Sequence, residues 1–180
     1  MTQAPDMIAS ESVVALPLHH IDAFDTVAPT FRTITSCALG DVAVPSAAIM
    51  HFPVALGGFP DEHEFVLLPA PREGMWLLQS TSEPGLIFVL GDPFVLDDSF
   101  AIDLSVTDKA SLGLEREEDA LALVMFVLSP TGSAECTANF RAPLVFNVRN
   151  QLGVQVVNRD DRHELQRTVS LETYPLSVNS

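Results

Sequence analysis

The chain has 180 residues, enough for one domain with a real hydrophobic core and no need of disulfide staples. Its 47% apolar content and mean hydropathy of +0.26 exclude a wholly disordered chain, and no run approaches the ~18–20 uninterrupted apolar residues of a membrane-spanning helix. Twenty-four Asp and Glu against nine Lys and Arg give a formal charge of −15, which disfavours direct binding of nucleic-acid phosphates and favours encounter with basic partners.

In chain order, residues 1–30 read as a variable extension with at most a short helix or strand. Met1-Thr2-Gln3-Ala4-Pro5-Asp6 lacks a positively charged n-region, so no secretory leader is expected there. Phe31 to Cys37 alternates with period two and is rich in β-branched residues. With the turn Leu39-Gly40-Asp41 and Val42-Ala43-Val44 it predicts a hairpin. Short strands follow at Ile49–Phe52, Phe65–Leu68, Trp76–Ser80 and Leu86–Leu90. They are separated by turn residues, among them Gly57-Gly58 and Glu83-Pro84-Gly85.

Phe100 to Val106 alternates apolar with small or polar residues and predicts a half-buried strand. Thr107 to Gly113 offers an N-cap, a short body and a glycine stop, the pattern of one or two helical turns. Leu114 to Asp119 is a charged connection. Ala120 to Leu128 is apolar on both faces, and its length and the following Ser129-Pro130 predict a central strand. Glu135–Phe140, Leu144–Arg149 and Val154–Asn158 complete the β segments, the last two joined by a hairpin loop at Asn150 to Gly153. Residues 159–180 read as a polar, loosely held tail. The pattern predicts an all-β fold, a mostly antiparallel sandwich or barrel-like single domain with one or two short helical turns.

Motifs for chemistry are missing. The chain has no G-x-S-x-G, no G-x-G-x-x-G and no P-loop. His19-His20, His51, His63 and His163 are scattered and show no convergent metal-ligand spacing. Cys37 and Cys136 form no C-x-x-C pair, which fits a reducing compartment, with one long-range disulfide as the alternative. Asp97-Asp98 with Asp103 lacks the glycine and closing carboxylate of an EF-hand. No catalytic residue, cofactor or metal is expected. The densest acidic cluster, Glu115, Glu117, Glu118 and Asp119, is the candidate protein-docking site; its bland reading is a solvated loop.

Several segments, in order, resemble the flagellar assembly factor FliW family. They are Thr35, Gly40 and Ile49-Met50-His51-Phe52-Pro53-Val54-Ala55-Leu56-Gly57-Gly58-Phe59, then Phe65-Val66-Leu67-Leu68 and Trp76 to Ser80. Asp92-Pro93-Phe94, Thr137-Ala138-Asn139 through Ala142-Pro143 to Asn147, and Gly153 to Val157 close the set. The resemblance covers residues 31–158. Gly57-Gly58 stands where the family commonly has Pro-Gly, and the two ends of the chain have no counterpart.

The resemblance implies a compact β-barrel-like domain and a cytoplasmic regulatory protein that is not an enzyme. It implies binding to CsrA, a small basic RNA-binding dimer that represses translation of flagellin mRNA, with relief of that repression. It also implies chaperone-like binding to flagellin itself. The alternative from the residues is a small β-barrel ligand binder or enzyme without a recognisable catalytic motif. An interior filled with Leu, Val and Phe would favour the binding protein, and an open pocket lined by His and carboxylate would favour the alternative.

Overall fold

A computed structural model describes residues 29–159 and 162–176. The expectations for residues 1–28, including His19-His20, lie outside it. Among the described residues there are ten strands, β1 (Phe31–Ser36), β2 (Gly40–Pro45), β3 (Ile49–His51), β4 (Glu64–Pro69), β5 (Met75–Ser80), β6 (Ile87–Gly91), β7 (Ala120–Val127), β8 (Glu135–Asn147), β9 (Leu152–Gln155) and β10 (Arg167–Ser170). A helix, α1, runs Val106–Leu112. Strands β3 to β8 form an antiparallel meander. β9 pairs antiparallel with β8 and parallel with β3 at His51↔Leu152, so seven strands close into a barrel. β10 adds to the outer edge of β8, and β1–β2 is a separate hairpin.

The barrel interior is filled. Met50, Phe52, Leu56, Phe65, Leu67, Leu78, Leu90, Leu123, Leu144 and Phe146 make one buried cluster. Phe52 stacks edge-on against Phe65 at 5.2 Å and Phe146 at 5.8 Å. Burying each Phe or Leu contributes about 1.5–3 kcal/mol. Gly153 on β9 belongs to this packing, because a Cβ there would stand 2.6 Å from the Phe52 ring.

Three further clusters lie outside the wall, which explains strands that read apolar on both faces. Val66 and Leu68 of β4 pack under the hairpin against Ile34 and Val44, while Phe65 and Leu67 point inward. Val145 and Val154 lie under α1 with Leu112. Val124 and Phe126 of β7 lie under the C-terminal segment with Tyr174.

The structure corrects four expectations. Phe100 to Leu104 is not a strand: its alternating burial is real, but it packs by side chains with no ladder, and Asn158 Nδ2 donates to Ala101 O at 2.8 Å. The helix cap is Ser105, not Thr107. Ser105 Oγ accepts from Asp108 N, Asp108 Oδ2 accepts from Ser105 N, and Gly113 ends the helix at φ +56°. The two strands expected at 135–149 are one bent strand. Leu144 pairs with Leu123 and Asn139 with Met125, so residues 140–143 face the single Val124. Asn139 Oδ1 accepts from Ala142 N at 2.9 Å across the bend, where Pro143 has no N–H to offer a ladder.

The fourth correction is the tail. β10 pairs with Glu135–Ala138, and the chain's only tyrosine, Tyr174, is fully buried. Its hydroxyl donates to Asp92 O at 2.5 Å and its ring meets the edge of Phe126. Gly91 makes room, since a Cβ there would sit 2.4 Å from Phe126 and 3.0 Å from the Tyr174 hydroxyl. Arg72 donates to Tyr174 O at 2.7 Å and Glu73 N to Pro175 O at 2.9 Å. The segment is polar in composition because only one side of it meets the barrel.

Candidate docking surfaces

The meander fixes which loops share an end of the barrel. Residues 70–74, 92–119 and 148–151 lie at one end, and residues 52–63, 81–86 and 128–134 lie at the other.

The predicted acidic cluster belongs to the first end. Glu117, Glu118 and Asp119 form a 3-10 turn directly before β7. Arg116 Nε and Nη2 donate to the two Asp119 carboxylate oxygens at 3.1 and 2.9 Å, and Arg116 Nη1 lies 2.7 Å from Glu118. Arg149 approaches Asp119 at 3.8 Å from the β8–β9 turn. These partners, Arg116 first, hold the Asp119 carboxyl below its usual range and raise Arg116. Glu115 is exposed beside a shallow depression of about 120 Å³ lined by Gly113, Asp119, Asn147, Arg149 and Asn150. The sequence cluster is therefore a charge knot: the structure ties Glu118 and Asp119 to arginines and leaves Glu115 on the rim.

Asn147 builds the base of that knot. Buried at the end of β8, it donates to Leu112 O and Gly113 O at 3.0 and 3.1 Å, closing the helix C-terminus. Its side-chain Oδ1 accepts from Arg149 N at 3.0 Å and so sets the turn that carries Arg149.

At the opposite end the carboxylates meet different donors. Glu62 accepts from Ser80 Oγ at 2.6 Å and Ser82 Oγ at 2.7 Å, and these hydroxyls lower its pKa. Neutral donors stabilise the anion without cancelling its charge. Asp61 and Glu83 are exposed, and Glu83 accepts from Gly85 N. The three loops contain no Lys or Arg. Arg32 reaches this end from β1, but its guanidinium is 2.6 Å from Glu64, which it holds below the usual carboxylate range. Asp61, Glu62 and Glu83 did not stand out in the sequence. The signal was negative: no Lys or Arg occurs between Arg32 and Arg72 or between Arg72 and Lys109.

The remaining candidates stay apart. His63 Nδ1 is 2.8 Å from Phe52 O, His51 is 3.6 Å from Glu64, and His163 is buried against Phe100. Among the described residues no group of three or more His, Cys, Asp or Glu is placed to hold a metal ion. Asp97 is taken by Ser99 and Arg167, which bring its pKa down to about 2. Cys37 and Cys136 are both free thiols, and burial pushes the Cys136 thiol up. No helix among the described residues is long and apolar enough to cross a membrane.

Seven strands closed around a Leu- and Phe-filled interior, with structured charge at both ends, define a small, filled β-barrel. The family model described as FliW protein matches residues 33–169, and the chain belongs to that family. The match runs past Asn158 through most of β10. A flagellar assembly factor FliW from Oceanobacillus iheyensis is 34% identical over 145 residues, covering 79% of this chain and 96% of that protein. One from Geobacillus thermodenitrificans is 36% identical over 131 residues, covering 70% and 90%. A crystal structure of the flagellar assembly factor FliW superimposes with a TM-score of 0.69 at 30% identity, covering 76% of this chain and 95% of that one.

Proposed function

We propose that this protein is a cytoplasmic flagellar assembly factor that binds a CsrA-type RNA-binding translational regulator, relieves its repression of flagellin translation, and also binds flagellin. The observation that carries this reading is the FliW match over residues 33–169, together with relatives named flagellar assembly factor. The formal charge of −15 supports it physically. An acidic protein attracts a basic RNA binder and, once docked, repels the phosphates of a competing RNA. The packed interior supports recognition by the surface over capture of a small ligand inside the barrel.

Calorimetry with purified CsrA and flagellin tests the reading: heat of binding with each is expected, and no heat with either would overturn it. Charge reversal of Glu115, Glu117, Glu118 and Asp119 is expected to weaken CsrA binding by about tenfold or more at low salt. Because reversing Asp119 or Glu118 turns them against Arg116, and Asp119 also against Arg149, Glu115→Lys alone serves as the milder test. Unchanged affinity in both variants removes the cluster from the docking face.

A further inference from the structure

One side chain anchors the segment after β10. Of residues 172–176 only Tyr174 is buried; Glu172, Thr173, Pro175 and Leu176 are exposed. The socket that receives the ring is built by the barrel wall and its loops. Gly74, at φ +74°, would place a Cβ 3.3 Å from the Tyr174 ring, and Gly91 would place one 3.0 Å from its hydroxyl. Phe126 meets the ring edge-on at 5.8 Å, and Asp92 O accepts from the hydroxyl.

The backbone of the segment is held as well. Arg72 donates to Tyr174 O, Glu73 N donates to Pro175 O, and Arg72 and Leu176 form an antiparallel bridge. Main-chain hydrogen bonds along an edge, beside one aromatic anchor whose polar tip is satisfied, are how a domain binds an extended peptide. The family match, residues 33–169, contains Arg72, Glu73, Gly74, Gly91, Asp92 and Phe126 and stops before the segment that fills their socket. None of these contacts depends on the covalent link to β10. Another chain can supply the same atoms, and the tethered segment competes through an effective concentration on the order of millimolar.

We propose that this socket is a peptide-recognition site that residues 171–176 fill in cis, and that a partner protein bearing a short extended segment with tyrosine followed by proline competes for it. The partner's ring enters between Gly74, Gly91 and Phe126, and its hydroxyl donates to Asp92 O. Its next two carbonyls take the places of Tyr174 O and Pro175 O on Arg72 and Glu73. Phenylalanine would leave Asp92 O without that donor, and a phosphotyrosine would bring negative charge against a carbonyl. The socket therefore selects unmodified tyrosine. This site is separate from the function proposed above and does not rest on which regulator the protein binds.

The sole tyrosine of the chain reports on its own socket. The probe is a synthetic peptide with the sequence of Ser170 to Leu176. In the Tyr174→Ala chain calorimetry is expected to show binding about tenfold or more tighter than in the parent, where the tethered segment competes. The same peptide with alanine for tyrosine is expected not to bind. In the parent chain, peptide at about millimolar concentration is expected to speed nitration of Tyr174 several-fold, read by mass spectrometry of the protein. That measurement decides the matter if Tyr174→Ala does not fold. A folded Tyr174→Ala chain that ignores the peptide, an alanine peptide that binds equally well, or a Tyr174 nitrated at the same rate with and without peptide would each overturn the proposal.

Discussion

The two ends of the barrel use carboxylates to opposite effect. At the end that carries α1, acids are consumed by the fold. Asp108 completes the helix cap, Asp92 caps the turn at Pro93–Val95, Asp97 holds Arg167, and Asp119 binds two arginines. At the other end Glu62 is held by serine hydroxyls, and Asp61 and Glu83 stand in loops free of Lys and Arg. Charge density along the chain is highest at the first end, whereas the loops of the second carry Asp61, Glu62 and Glu83 with no Lys or Arg among them. What a partner senses is the residual field after internal pairing, and that depends on which donors the fold brings up.

If the first end is structural, damage there falls on stability. The largest effect is expected at Tyr174. Tyr174→Ala empties a buried slot against Gly91 and Phe126 and is expected to cost about 3–5 kcal/mol by urea unfolding. A loss below about 1 kcal/mol would return the C-terminal segment to the status of a loose tail. Next is Asn147→Ala, which takes the side-chain donor from Leu112 O and leaves Gly113 O only that of Asn150, and is expected to cost about 1–3 kcal/mol. Parent-like unfolding would show that the helix end finds other partners.

The smallest effect is in the pH profile. The Asp97 carboxyl is held down to about 2 by Ser99 and Arg167. A depressed carboxyl contributes its full stabilisation above the unfolded value near 4 and loses it as pH falls toward about 2. Asp97→Asn is therefore expected to flatten the fall in stability between those limits, measured by thermal unfolding across that range. An unchanged acid limb would show that other groups drive it.

The fold was legible wherever a strand met solvent on one face or ran between two apolar layers. β1 follows from its period-two alternation, and β7 from its length and the Ser129-Pro130 stop, while short strands at even spacing fit a sandwich as well as the closed barrel. Phe100 to Leu104 misled because alternating burial also suits an extended segment lying on a wall; nothing local records whether its amides find a ladder. β10 and Tyr174 were hidden for the converse reason: their partners, Gly91, Phe126 and Cys136, are remote in the chain and supply the apolar surface that the segment's own composition lacks. The acidic cluster at 115–119 was visible, but its neutralisation was only half visible. Arg116 is a neighbour in sequence, while Arg149 arrives through a turn that Asn147 sets.

The closure of the barrel by β9 also bears on how the chain becomes a barrel during synthesis. The meander from β3 to β8 forms from contacts between successive segments, but the seam joins His51 to Leu152. Until Leu152 has left the ribosome, Phe52, Phe65 and Phe146 face an open trough. The seam adds the slow, long-range loop closure that penalises high contact order. A nascent or partly unfolded copy therefore presents its most aggregation-prone surface until β9, the last strand of the barrel itself, appears and hides it.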